Sequence, residues 1–153
     1  MSRAFVKELE DGVEELPERP ISPHPNLVTA EGLAHIEAEV TRLQQEHAAA
    51  HAANDRTALA RTARDLRYWT ARRATAQIVA APSDRSKVHF GSTVTIVRND
   101  GRRQTFRIVG EDEADPARGT LSHASPLARA LFGKELGDTV KVAQSEAEIV
   151  EIA

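Results

Sequence analysis

The sequence predicts an α+β protein: an N-terminal antiparallel helical hairpin resembling a short coiled coil, then an antiparallel sheet with one short helix. Three observations carry this expectation. Leu33, Ile36, Val40 and Leu43 recur at alternating steps of three and four residues, and Leu59, Thr62, Leu66, Trp69, Arg73 and Ala76 repeat the alternation. That rhythm marks a narrow helical seam. Further on, two β-rich runs at 93–98 and 104–109 flank Asn99-Asp100-Gly101, a tight hairpin turn in which glycine supplies positive φ. Last, Ser125-Pro126 opens a short helix, because serine caps well and proline suits the first helical position.

In chain order, residues 1–26 read as an acidic, proline-rich tail. Glu8, Glu10, Asp11, Glu14, Glu15 and Glu18 outnumber Arg3, Lys7 and Arg19, and Pro17, Pro20, Pro23 and Pro25 keep the chain extended. Two roles are open to it. One is a flexible leader without chemistry; the other is an acidic arm folded onto a basic face of this chain or of a partner, anchored by Ala4-Phe5-Val6. Residues 27–81 form the hairpin. Thr29 is the N-cap of the first helix and Glu31 sits in its favourable first turn. Residues 52–55 make the link, Asn54 and Asp55 form the tip, and the second helix is expected over 56–79. Each arm holds about 20 residues and so spans about 30 Å. His47, Thr62 and alanines occupy the middle of the seam, so its tip half should fray, whereas Trp69 should cover Ile36 and Val40 at the base. Residues 82–87 are a linker, marked by Pro82, Ser83, Asp84 and Ser86. The C-terminal domain, 88–153, should contain the two hairpin strands, an acidic loop at 111–119, a short strand from Leu121, a helix over 126–132, and strands at 139–143 and 148–152. In that helix Leu127, Ala130 and Leu131 share one face and Gly133 ends the turn.

At 153 residues the chain suits one ordinary domain or two small ones. With 41% hydrophobic and 28% charged residues it should fold in water, and with only 4% aromatic residues its core must be aliphatic. Cysteine is absent, which excludes disulfides and thiolate metal sites. No run approaches the ~18 apolar residues of a membrane span, and the N-terminus lacks a signal-like apolar region. A cytoplasmic protein is expected. The sequence also has no nucleophile elbow, phosphate loop or zinc-protease motif. The expectation is a non-enzyme without a cofactor. His47, His51 and Asp55 stand at successive i+4 steps, a spacing that can bind a divalent metal. The third residue falls where the helix turns and no fourth ligand is evident, so these three read as a polar end of the hairpin. Arg56, Arg61, Arg64, Arg67 and Arg72, with Arg73, are opposed on the second helix only by Asp65. Their spacing spreads them around the helix rather than along one stripe, and they serve either as solvated surface or as contacts for a polyanion or acidic partner, such as nucleic acid or an acidic channel wall. Ser122, Ser125, Arg129 and Lys134 gather around the short helix, either as caps and surface or as a docking site.

Across 90–142 the order and spacing of several groups is diagnostic. Phe90-Gly91-Ser92 is followed by Ile108-Val109-Gly110 with Glu113-Ala114-Asp115. Then come Ser122-His123-Ala124-Ser125-Pro126-Leu127-Ala128-Arg129-Ala130-Leu131, Gly133-Lys134 and Gly137-Asp138. This pattern resembles the C-terminal domain of the GreA/GreB transcription elongation factor family, and the likeness continues more loosely into the hairpin at Thr29, Gly32, Leu33, Ile36, Glu39, Val40 and Leu43. The resemblance implies a C-terminal domain of the FK506-binding-protein-like (FKBP-like) fold that docks at the rim of the secondary channel of bacterial RNA polymerase. It also implies a coiled coil that enters the channel, where acidic tip side chains help hold the magnesium ion that drives cleavage of backtracked RNA. By that resemblance the polymerase-facing residues are Ser122, Ser125, Pro126, Leu127, Arg129 and Lys134, and contact with nucleic acid in the transcription complex would fall to the hairpin.

The chain departs from the family where cleavage is driven. Cleaving members carry a tip motif Asp-Leu-x-Glu-Asn-Ala-Glu-Tyr, whereas only Glu46 and Asp55 are acidic between 45 and 64 here. The arms are also shorter by about two to three turns, at ~5.4 Å per turn. A short-armed relative, the regulator of nucleoside diphosphate kinase, is similar in outline. The expected function is therefore an elongation regulator that binds polymerase without stimulating cleavage. Its rivals are a true cleavage factor using Asp55 and Glu46, a prolyl isomerase, and a regulator of a metabolic kinase. An isomerase pocket is apolar and aromatic-lined, yet beyond residue 87 the chain has only Phe90, Phe106 and Phe132. A kinase regulator would leave no recognisable mark.

Overall fold

A computed structural model describes residues 16–153. Ala4-Phe5-Val6 and the acidic residues before Leu16 lie outside the described residues. The chain divides into two compact units, one built from Ile36–Thr75 with the chain up to Pro23, the other from His24–His35 and Ala76–Ala153. This differs from boundaries drawn at 26/27 and 81/82, because flanking segments of the hairpin group with the C-terminal residues.

The first helix, α1, spans Ala30–Ala52 and the second, α2, spans Arg56–Thr75. Thr29 caps α1: its Oγ1 accepts the Gly32 N–H at 3.0 Å. At the tip Asn54 adopts a left-handed conformation, φ 53°, one that asparagine tolerates better than most residues. Asp55 then caps α2, its Oδ1 accepting the Ala58 N–H at 3.1 Å. The helices run antiparallel, as the cross-pairs His47–Thr62 at 2.8 Å and Glu46–Arg61 at 3.4 Å require. Ile36, Val40, Leu43 and Ala50 are buried along α1, and Ala60 and Thr62 along α2. His47 fits the seam because Thr62 gives its ring nitrogen a partner.

Two expectations for α2 need correction. The helix ends at Thr75 rather than 79, and Gln77–Ile78 (β2) instead pairs in parallel with Leu27–Val28 (β1). The ribbon satisfies the backbone that a longer helix would have used: Gln77 N–H donates to Asn26 O and Val79 N–H to Val28 O, both at 2.9 Å. β-Branched Ile78 and Val79 favour this extended form. Second, the inner stripe of α2 takes Arg72, only 1% exposed, while Arg73 faces out. Three residues beyond Trp69, position 72 turns inward on a 3.6-residue helix.

In the C-terminal unit, β3 (Thr93–Arg98), β4 (Arg103–Val109), β5 (Thr120–Ser122), β6 (Thr139–Val142) and β7 (Ser145–Ile152) form one sheet in the order β5-β4-β3-β7-β6. The sheet is mixed rather than wholly antiparallel, because β5 pairs parallel to β4. The stretch read as an acidic loop makes this possible. Pro116–Arg118 is a 3-10 turn, capped by Asp115 and ended by Gly119 at φ 82°, which brings the chain back in the direction of β4. A short helix, α3 (Pro126–Leu131), places Leu127, Ala128 and Leu131 in a core with Phe90, Ile108 and Ile149. Full burial of a side chain such as Leu131 contributes about 1.5–3 kcal/mol.

The 82–87 segment is ordered by its own polar contacts. Asp84 Oδ1 accepts the Ser86 N–H at 2.9 Å and the Ser86 hydroxyl at 2.6 Å, and Oδ2 lies 3.3 Å from His89 Nε2. These bonds favour the carboxylate and bring the Asp84 pKa from 3.8 down to about 2, the Ser86 hydroxyl contributing most. Since the folded pKa is depressed, the turn's contribution is complete above pH 3.8 and is lost as pH falls through about 2. In an NMR titration the Asp84 carboxyl should show its midpoint near 2; a midpoint near 3.8 would mean that the turn is not held in solution.

Candidate functional site

The residues expected to dock a partner separate into two groups. Ser122 and Ser125 shape the turn: Ser122 Oγ accepts the Ala124 N–H at 3.1 Å, and Ser125 Oγ accepts the Ala128 N–H at 3.2 Å as the N-cap of α3. Leu127, only 9% exposed, belongs to the core, which corrects its reading as a contact residue. It does so because positions 127, 128 and 131 form the inner face of α3. Pro126, Arg129 and Lys134 are exposed. Leu136, at 64% exposure, joins them and was missed in the sequence. Its signal was an apolar residue stranded between Gly133 and Gly137, outside any helical or strand period. The turn that carries Lys134 and Leu136 is fixed from behind: Gly133 N–H donates to Val88 O, and Val88 N–H to Lys134 O, both at 2.9 Å. Asp138 Oδ2 also accepts the Glu135 N–H at 2.8 Å. Lys134 and Leu136 thus share one turn with the exposed Glu135 and Asp138, while Arg129 is exposed on α3.

At the hairpin tip the two carboxylates are apart and engaged. Asp55 caps α2, and Glu46 accepts from Arg42 at 2.7 Å and from Arg61 at 3.4 Å. His47 points at Thr62 while His51 is exposed, so His47, His51 and Asp55 do not converge. Among the described residues no three His, Asp or Glu side chains come together in a way that could hold a metal ion.

The arginines of α2 are also sorted by the structure. Arg56, Arg61, Arg67 and Arg73 are exposed, Arg64 is half-buried with its Nε 3.1 Å from Asp65, and Arg72 is inside. The described part of the tail lies on this helix. Arg67 directs Nε and Nη2 at Glu18 Oε1, each at 2.7 Å. Arg19 lies 3.5 Å from Asp65 and places its guanidinium 3.9 Å from the Tyr68 ring centroid and 5.8 Å from that of Trp69.

A further polar centre surrounds Glu113. Its Oε2 accepts the N–H groups of Thr29 at 3.1 Å and Gly110 at 3.2 Å, and its Oε1 accepts the Thr29 hydroxyl. Beside it is an open depression of about 470 Å³ lined by Glu31, His35, Arg107, Asp112, Asp115 and Arg118 among others. The carboxyl of Glu31 is held below its ordinary range by backbone hydrogen bonding, Thr29 and the charge of Arg107. The lining is ionic rather than aromatic: Phe90 is buried, and Phe106 and Phe132 pack against the core.

The family profile "Transcription elongation factor, GreA/GreB, C-term" matches residues 82–153. The transcription elongation factor GreA of Alkalilimnicola ehrlichii is 50% identical over 84 residues, 50% of this chain and 53% of that protein, so the match spans about half of that relative's length. GreA of Legionella pneumophila (strain Lens) is 35% identical over 86% of this chain and 97% of its own. Among solved structures, the GreA factor homolog Gfh1 of Thermus thermophilus is 19% identical, with 85% of this chain and 99% of that one covered at a TM-score of 0.41. No helix among the described residues is long and apolar enough to cross a membrane.

Proposed function

The chain belongs to the GreA/GreB family of transcription elongation factors, and from that premise we propose that it binds bacterial RNA polymerase at the secondary-channel rim without stimulating transcript cleavage. Pro126, Arg129, Lys134 and Leu136 form the docking surface, and Ser122 and Ser125 hold its turn. The observation that carries the reading is the tip. A metal-assisted hydrolysis needs carboxylates about 2 Å from the ion. Here Asp55 is spent on capping α2 and Glu46 is held by Arg42 and Arg61. The arms, 23 and 20 residues long, span about 35 and 30 Å. Such a protein would regulate elongation by occupying the rim and excluding longer-armed factors.

The test is RNA cleavage in backtracked polymerase complexes, driven by a long-armed Gre factor and titrated with this protein. Cleavage should fall progressively to the basal level, and the protein alone should not raise it. Cleavage that holds steady at large excess refutes rim binding, and cleavage driven by the protein alone refutes the inert tip.

A further inference from the structure

We propose that the open face of the five-stranded sheet pairs with the same face of a second copy of this chain, Arg103 of each copy entering a depression beside Glu148 of the other. The register places the charges. β3 runs down the middle of the sheet, and its Val97 stands between Arg103 on β4 and Glu148 on β7. One row on, Thr95 stands between Thr105 and Glu151. Glu148 and Glu151 share this face although they are three residues apart. The pairing of β3 with β7 shifts between Thr95 and Ile96, which leaves Val150 as an extra residue. The opposite face carries Val94, Ile96, Ala147 and Ile149 into the core. The open face is thus divided, cationic on β4 and anionic on β7. Arg103, Glu148 and Glu151 are exposed, and their side chains make no ion pair or hydrogen bond among the described residues.

A two-fold axis along β3 joins the two halves. Rotation about that line turns the face over and exchanges left for right, so β4 of one copy lies over β7 of the other at the same level. Arg103 then meets Glu148 of the second copy, twice over, while Val97 meets Val97 on the axis. Sheets packed face to face lie ~10 Å apart, a gap that an arginine side chain spans. The middle of the face is low, since Thr95 is only 5% exposed and its hydroxyl lies 2.9 Å from that of Thr105. Beside Glu148 is an open depression of about 220 Å³, lined by Val97, Thr139, Glu146 and Glu148 among others. Two carboxylates next to a valine suit a guanidinium on an aliphatic stem. Arg103, Arg107 and Lys141 balance Glu146, Glu148 and Glu151 on this face, so two copies meet without net repulsion. A polyanion would be repelled by the glutamates and a basic peptide by the arginines, whereas a surface divided in the same way matches both halves. Strands ~4.8 Å apart make a patch below the standard interface size, so the dimer should be weak, with a Kd on the order of 10–100 μM. The pairing uses neither α3 nor the turn after it and is independent of rim docking.

The experiment follows the full chain by analytical ultracentrifugation at low ionic strength, from about 5 to 500 μM, where it should pass from monomer to dimer. Arg103→Glu and Glu148→Arg should each weaken self-association at least about tenfold, since both symmetric contacts become like-charged. Both positions are exposed, so the thermal midpoints should stay within about 2 °C of that of the unaltered chain. Mixed in equal amounts, the two variants should recover the dimer to within about threefold, because each contact again joins opposite charges. A monomer throughout for the unaltered chain overturns the proposal. So does a dimer that neither reversal weakens, which would sit on another face. A mixture that stays monomeric overturns it too, since both contacts would then be satisfied without effect. No polymerase is present, so this failure is distinct from failure at the rim.

Discussion

Gly110→Ala should lower the thermal midpoint by about 6–12 °C, corresponding to a loss of roughly 3 kcal/mol. A Cβ at position 110 would lie 2.6 Å from the Leu27 carbonyl oxygen and 3.0 Å from Glu113 Oε2. The first is a backbone atom with little room to retreat. Leu27–Val28 is paired with Gln77–Ile78, and Val28 is only 2% exposed, so relief means pulling β1 out of its place. Gly32→Ala meets a different obstacle in the same centre, the Glu113 carboxylate at 2.0 Å. That side chain can swing away, but only by releasing the Thr29 N–H, the Thr29 hydroxyl and the Gly110 N–H. Gly32→Ala should therefore cost about 2 kcal/mol, close to the cost of Glu113→Ala, since both end with the same donors unsatisfied. In the double variant the two losses should overlap by about 1–2 kcal/mol. Urea denaturation of the four proteins reads this directly, and losses that add within ~0.5 kcal/mol would show that Gly32 and Glu113 act independently.

The Glu113 centre also shows what a sequence can and cannot disclose. Local rules made the elements legible: Thr29, Asp55 and Ser125 cap the helices as their residue types predict, and β3 spans Thr93–Arg98 as its alternation predicts. The family was legible for another reason, since the Ser125-Pro126 helix and its flanking glycines keep a fixed spacing. What escaped depends on contacts between distant positions. Nothing near Glu113 announces that its partner is Thr29, 84 residues away. The end of α2 at Thr75 is set by the ribbon with Leu27–Val28, a tertiary contact that overrides helical periodicity at 76–79. Likewise, β5 joins β4 in parallel because of the 3-10 turn, and an acidic, proline-containing run reads as plain loop. Leu127 is buried on the helix face that its spacing to Leu131 already marked, whereas Leu136 lies in the turn after the helix, where no periodicity applies, so its exposure had to be seen.

Arg129→Glu combined with Lys134→Glu should weaken competition at the polymerase rim by on the order of 100-fold, with a thermal midpoint unchanged within about 2 °C. Both side chains are exposed, while α3 is held by Leu127, Ala128 and Leu131 on its inner face and by the Ser125 cap. Reversing two charges removes attraction and adds repulsion, so association should slow and salt dependence should fall. Three other variants separate docking from folding. Leu136→Ser removes only the apolar contact and should cost several-fold in competition, with stability untouched. Leu127→Ala opens a core cavity and should cost about 2–4 kcal/mol of stability, losing competition only as far as the protein unfolds. Asp55→Ala removes a cap, should cost about 1 kcal/mol, and should leave competition intact because the tip does no chemistry in this reading. Competition by the folded Arg129/Lys134 variant at full strength would exclude this face as the docking surface. The inert tip would then still have to be tested without it, since a protein that docks through another face can be short-armed and non-cleaving all the same.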